Sequence, residues 1–126
     1  MKQLNIKNYA HLGDALWELF VRERTIMMTE NLKRLHTLTV GYVNAGFQTK
    51  MLEFLTPSLS ADELALAKRA GNIRISAKRK VDASLHRIAT EFEALLGYLY
   101  LHEKTRYDEL LQKISESGIF SAPEIR

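Results

Sequence analysis

Thr90-Glu91-Phe92-Glu93-Ala94-Leu95-Leu96-Gly97-Tyr98 is the stretch from which the rest of the chain can be read. With Ile88 before it and Leu99 after it, the apolar residues Phe92, Leu95 and Leu96 recur at spacings of three and four. That period describes one stripe of an α-helix turned toward a core. At about 100° per residue, Glu93 lies about 110–140° from the centre of the stripe, at the margin of the buried face. His86, Thr90, Glu93 and Gly97 make a second row beside it. A carboxylate at such a margin is partly desolvated and calls for a cation, a donor or a metal. Gly97 costs a helix about 1 kcal/mol against alanine, so its presence signals cleared space or a close backbone. Taken alone, the stretch reads as an exposed glutamate beside a packing glycine.

Working backwards, a long first helix is expected from about Asn8 to Met28, with Tyr9, Leu12, Leu16, Leu19 and Phe20 as its apolar stripe. Gly13-Asp14 interrupts it. Asp14 lies about 140° from Tyr9 on the wheel, again at the margin of the buried face. Aspartate is a poor residue for a helix interior, so an Asp beside a Gly in mid-helix needs an explanation. Glu18 and Arg22 follow at the spacing of an intrahelical ion pair.

A second helix is expected from a Thr29 cap to about Val40, and a third from an Asn44 cap to about Leu55. His36, Gln48 and Lys50 read as solvated or capping residues. Thr56-Pro57-Ser58 is a turn, and Ser60-Ala61-Asp62-Glu63 is a capping box opening a fourth helix to about Ala70. The helix carrying Glu93 opens at Asp82 or Ser84 and runs to about His102. A sixth follows from Thr105 to near Gly118, and residues 119–126 read as a tail. The expected fold is all-α, about six helices in a single domain spanning 1–126, with its core in 8–118.

Between the fourth and fifth helices the charge becomes one-signed. Lys68, Arg69, Arg74, Lys78, Arg79 and Lys80 fall in a run with no acidic residue, a third of the chain's 18 basic residues. Such a run is a solvated loop or a surface that contacts phosphates. The overall balance is mild, a net charge of +3 in 126 residues. Cysteine is absent, which excludes disulfides, thiolate metal sites and cysteine nucleophiles. Metal ligands would be Asp, Glu or His, a set that favours hard cations such as Mg²⁺ or Mn²⁺. With no apolar run of about 20 residues and no signal segment, the expectation is a cytoplasmic protein without a membrane span.

Asp14 and Glu93 are thus two awkward carboxylates on two helices that can pack together. Sharing a site, they would repel unless a proton or cation stood between them. A divalent metal there would activate water for phosphodiester hydrolysis, beside a basic run suited to a phosphate backbone.

Gly13-Asp14-Ala15-Leu16-Trp17-Glu18-Leu19-Phe20-Val21-Arg22 resembles the first signature of the Mini-ribonuclease III family, and Phe92-Glu93-Ala94-Leu95-Leu96-Gly97-Tyr98-Leu99-Tyr100-Leu101 resembles its second. Between them Leu35-His36, Val43-Asn44-Ala45, Gln48 and Lys68-Arg69 with Asn72 follow in the family's order. The likeness covers about residues 8 to 112. It implies a ribonuclease III catalytic domain without the double-stranded-RNA-binding domain. Such proteins are Mg²⁺-dependent homodimers that cut double-stranded RNA, including ribosomal RNA precursors. The family's catalytic, metal-binding Asp and Glu carry over to Asp14 and Glu93. Full-length ribonuclease III enzymes add two carboxylates where this chain has Ala10 and Thr90. In the Mini branch hydroxyls and waters complete the metal shell, which gives Thr90 a supporting role. Mn²⁺ is the expected substitute for Mg²⁺. The basic run departs from the family pattern, being about one residue shorter after Asn72. The competing reading is a non-catalytic RNA-binding or ribosome-assembly module on the same helical fold.

Overall fold

A computed structural model describes residues 2–72 and 80–120, the side chains of 80–83 excepted. Among the described residues there are six α-helices and no strand: α1 (Ile6–Thr25), α2 (Leu32–Val43), α3 (Ala45–Leu55), α4 (Ala61–Gly71), α5 (Lys80–His102) and α6 (Lys104–Glu116). A short 3-10 turn, Thr56–Ser58, joins α3 to α4.

Side-chain caps set most of the boundaries. The Asn5 carboxamide accepts from the Lys7 N–H at 2.9 Å, so α1 opens two residues before its expected start. It closes at Thr25 in a tight turn, three residues before the expected end. The second helix is capped by Asn31, which accepts from the Arg34 N–H at 2.9 Å, and not by Thr29. The Thr29 hydroxyl instead accepts from the Asn31 N–H, shaping the turn before the cap. α2 runs to Val43, three residues past its expected end, and Asn44 caps α3 as expected, through the Phe47 N–H at 2.8 Å. Ser60 and Glu63 form the anticipated capping box with both reciprocal bonds made. The glutamate helix opens at Lys80, earlier than either Asp82 or Ser84.

The fifth helix is central, packing on α1 most extensively and on α4, α3 and α6. Phe92, Leu95, Leu96 and Leu99 are fully buried, as is Trp17 from α1. The Trp17 ring meets Phe92 edge-on at 5.1 Å, and its indole N–H donates to the Tyr42 carbonyl at 2.8 Å. Each such side chain removed from water contributes about 1.5–3 kcal/mol before the cost of ordering it.

Leu19 departs from the expected stripe: it is 58% exposed. Gly13, Trp17 and Val21 are all buried, and they turn the inward face of α1 away from the Leu16 direction toward their own side. That rotation leaves Leu19 outside and brings the inward face round toward Asp14, which is itself exposed. Ile119 and Phe120, read from the sequence as the start of a tail, pack on the core, Phe120 stacking on Tyr42 at 4.6 Å.

Two polar clasps tie the ends of the bundle. Arg106 of α6 grips Glu63 of α4 with Nε and Nη2 at 2.8 and 3.0 Å, and its Nη2 also donates to the Ser58 carbonyl. The Arg106 hydrogen bonds hold the Glu63 carboxyl below the usual range. At the other end the buried Tyr9 hydroxyl accepts from the Leu4 N–H at 2.7 Å. It lies 2.6 Å from His102 Nε2, closing the start of α1 against the end of α5. No helix among the described residues is long and apolar enough to cross a membrane.

Candidate active site

The two awkward carboxylates come together. Their elements approach so closely because each supplies a glycine where the other brings backbone. A Cβ on Gly13 would fall inside the carbonyl oxygen of Glu93, and one on Gly97 inside the carbonyl oxygen of Tyr9. Tyr9 and Gly13 are one turn apart on α1, as are Glu93 and Gly97 on α5. The pairing of 9 with 97 and 13 with 93 therefore makes the two helices antiparallel, in backbone contact over one full turn. Asp14 follows Gly13 directly, so its carboxyl is delivered beside that of Glu93.

The electrostatics follow from this placement. Burial raises the pKa of Glu93, and the charge of Asp14 and a hydrogen bond shared with Asp14 raise it further, to about 8. The Gln48 amide of α3 lies against the same carboxyl and works in the opposite direction. The Glu93 proton is therefore held more tightly than that of an ordinary carboxyl, as expected beside a like charge at close range.

Gln48 is the residue that sequence reading passed over, as solvated or capping. It is 4% exposed. Its Nε2 donates to the Val43 carbonyl at 2.9 Å, and its Oε1 is a buried oxygen with no hydrogen-bond partner. An unsatisfied buried acceptor costs about 1–3 kcal/mol, so this oxygen calls for a partner. Its place in the ordered motif set was the available signal. Its spacing of three and four residues from Ala45, Met51 and Leu52 was a second signal, since it places Gln48 on the apolar stripe of α3.

The donor set is oxygen only: the Asp14 and Glu93 carboxylates and the Gln48 amide. That chemistry suits a hard divalent cation that keeps several waters. No group of three or more His, Asp or Glu side chains stands ready for a metal among the described residues. Among the described residues the site offers the two carboxyls and the nearby Gln48 amide. Thr90 lies one turn before Glu93 on α5, and its hydroxyl donates to the His86 carbonyl at 2.7 Å.

Lys68 and Arg69 stand exposed on the last turn of α4. Lys80 is the first residue of α5, with its side chain outside the described residues. Arg74, Lys78 and Arg79 also lie outside them. A cation the sequence reading left out is Arg87, exposed on α5. Arg87 and Lys68 both act on Glu91, whose carboxyl is raised by burial and lowered by these two charges.

The model of the ribonuclease III domain matches residues 7–104, a span holding Asp14, Gln48 and Glu93. A Mini-ribonuclease 3 from Gloeobacter violaceus is 38% identical over 124 residues, covering 98% of this chain and 92% of that protein. The chain belongs to the Mini-ribonuclease III family. The Mini-ribonuclease 3 of Clostridium tetani is 32% identical over 119 residues, covering 90% of this chain and 78% of its own. A crystallised protein from Fusobacterium nucleatum has a similar fold, with a TM-score of 0.79 at 25% identity over 94% of this chain and 97% of that one. As a Mini-ribonuclease III, the chain is an endoribonuclease of the ribonuclease III type, and Asp14 and Glu93 sit in the two segments whose likeness to the family was legible in the sequence.

Proposed function

We propose that this endoribonuclease cuts double-stranded RNA in a divalent-metal-dependent reaction, with Mg²⁺ as its ordinary cation and Mn²⁺ as a substitute, and that it works as a homodimer on ribosomal RNA precursors. The observation that carries the metal site is the Asp14–Glu93 pair. Two carboxyls from different helices are brought together by the Gly13 and Gly97 contacts, an arrangement that a divalent cation stabilises by standing between them. Asp14 and Glu93 are the residues to hold it. When bound, such a cation supplies positive charge at the scissile phosphate and lowers the pKa of water.

The chain's own residues do the rest. Glu93 gives up its proton as the site fills. The Gly13 and Gly97 contacts fix both carboxyls to rigid helices, so no loop has to order before the reaction. Lys68 and Arg69 offer positive charge to the sugar-phosphate backbone, joined by Arg74, Lys78, Arg79 and Lys80 on sequence grounds. Duplex RNA presents shape, phosphates and 2′-hydroxyls in place of readable base edges, which suits a surface of unspecific cations. Pairing about a two-fold axis doubles that surface and supplies one site per strand. The ribosomal RNA role and Thr90 as a hydroxyl support rest on the family resemblance.

The test is cleavage of one RNA in duplex and single-stranded form, with Mg²⁺ or with EDTA, alongside light scattering. The expected result is cutting of the duplex with Mg²⁺ alone, by a dimer. Duplex binding without cutting would favour the non-catalytic RNA-binding module, and equal cutting of the single strand would remove the duplex specificity.

A further inference from the structure

We propose that Gln48 is a positioning residue of the metal site, its Oε1 serving as the neutral third oxygen of the Asp14–Glu93 pair toward a hydrated divalent cation. The inference rests on the metal-dependent reading above and goes beyond it.

Three observations on one side chain carry it. Gln48 is 4% exposed, so water does not satisfy it from outside. Its nitrogen is accounted for, since Nε2 donates to the Val43 carbonyl and thereby closes the end of α2. Its oxygen is not, because Oε1 is enclosed without a partner. A role confined to closing α2 explains the nitrogen and leaves the oxygen as a net cost. It is the N–H side of the amide that acts on the Glu93 carboxyl, and Oε1 is carried on the same amide carbon, so the unpartnered oxygen lies close to that carboxyl.

An amide oxygen only accepts. It cannot bond to an ionised carboxylate, so once Glu93 has given up its proton this oxygen is left to meet a cation or the hydrogen of a water held by one. The charges also favour an amide: two carboxylates balance one divalent cation, and a neutral oxygen adds a donor without adding charge. Fixed by its nitrogen to the Val43 carbonyl, the amide has its orientation set before anything binds, as with groups that orient metal ligands from behind.

The test uses the full chain without RNA and Mn²⁺ alone, titrated by electron paramagnetic resonance, with thermal melting in EDTA and in Mn²⁺. Gln48→Met keeps the length of the side chain and removes both polar ends. It should bind Mn²⁺ at least 10-fold more weakly than the parent, in line with the 10–100-fold typical of such supporting groups. Its helical circular dichroism should be retained. Gln48→Glu covers the case in which Gln48→Met fails to fold. Three crowded carboxyls should lower its melting point in EDTA at pH 8, and Mn²⁺ should raise it by more than it raises the parent. If the variants bind Mn²⁺ as the parent does, and gain the same stabilisation from it, Gln48 serves only to close α2 and the inference is wrong. A parent that binds no Mn²⁺ would instead overturn the metal reading itself, and this inference with it.

Discussion

Gly13 of α1 and Glu93 of α5 lie backbone against backbone, with the Gly13 Cα seated where any side chain would overlap the Glu93 carbonyl. The same turn carries Gly97 against Tyr9. These two contacts set the distance between the helices, and the distance sets the proximity of the Asp14 and Glu93 carboxyls. A methyl group at either glycine must push the helices apart.

Gly97→Ala tests this away from the carboxyls. Helix propensity alone would make the change favourable by about 1 kcal/mol. Overlap with the Tyr9 carbonyl should outweigh it, giving a net loss of about 2–4 kcal/mol and a melting point lower by roughly 10 °C. Metal affinity should fall as well, because the carboxyls separate. Thermal melting with and without Mn²⁺ measures both effects. An unchanged or raised melting point would mean that the helices accommodate the methyl group, and that glycine there is not what sets their spacing.

Glu93 should make the metal-free chain less stable as pH rises. Folded, its carboxyl holds a proton to about pH 8, against an ordinary value of 4.5. Between those values the native chain binds more protons than the unfolded one, so stability falls with increasing pH. The loss attributable to this group is about 2–4 kcal/mol, allowing for the solvent that still reaches it. Melting in EDTA from pH 5 to pH 9 should show the parent losing stability relative to Glu93→Gln, which has no proton to lose. Saturating Mn²⁺ should flatten the difference. Parallel pH profiles for parent and variant would contradict the tightly held Glu93 proton.

Lys68 and Arg69 should bind phosphate without reading bases. Replacing both by alanine should flatten the slope of log affinity against log salt by roughly 2 per protomer, at about 0.9 per phosphate contact for a regular duplex. The loss should be uniform across duplex sequences. Turnover at saturating RNA should fall less than affinity, since these residues hold substrate and not the metal. A salt titration with Ca²⁺ in place of Mg²⁺, to suppress cutting, measures the slope. An unchanged slope would put the RNA path on another face.

The helices were legible because their signals are local. The period of Phe92, Leu95, Leu96 and Leu99 announced α5, and Asn44 and Ser60 announced the starts of α3 and α4 through caps whose chemistry is short-range. Thr29 misled because two cap-forming residues stood two apart, and the choice between them depends on the turn that follows α1. Leu19 misled because the inward face of α1 is decided by Gly13, which has no side chain to count as apolar. Asp14 and Glu93 stood out as local anomalies, each near a glycine. Gln48 stood in the ordered motif set, but its part in the site did not show, since an unpartnered oxygen exists only once α3 is packed against α5.

In the proposed reaction, cutting depends on Asp14 and Glu93, and this dependence is open to direct measurement. It is tested most directly by Mg²⁺-dependent cleavage of duplex RNA by Glu93→Gln and Asp14→Asn, under conditions in which both variants are folded and bind the duplex. Each substitution keeps shape and removes a negative charge, so each should lower turnover by about 10³-fold or more, equivalent to some 4 kcal/mol of transition-state stabilisation. Near-parent turnover by either folded variant would contradict the assignment.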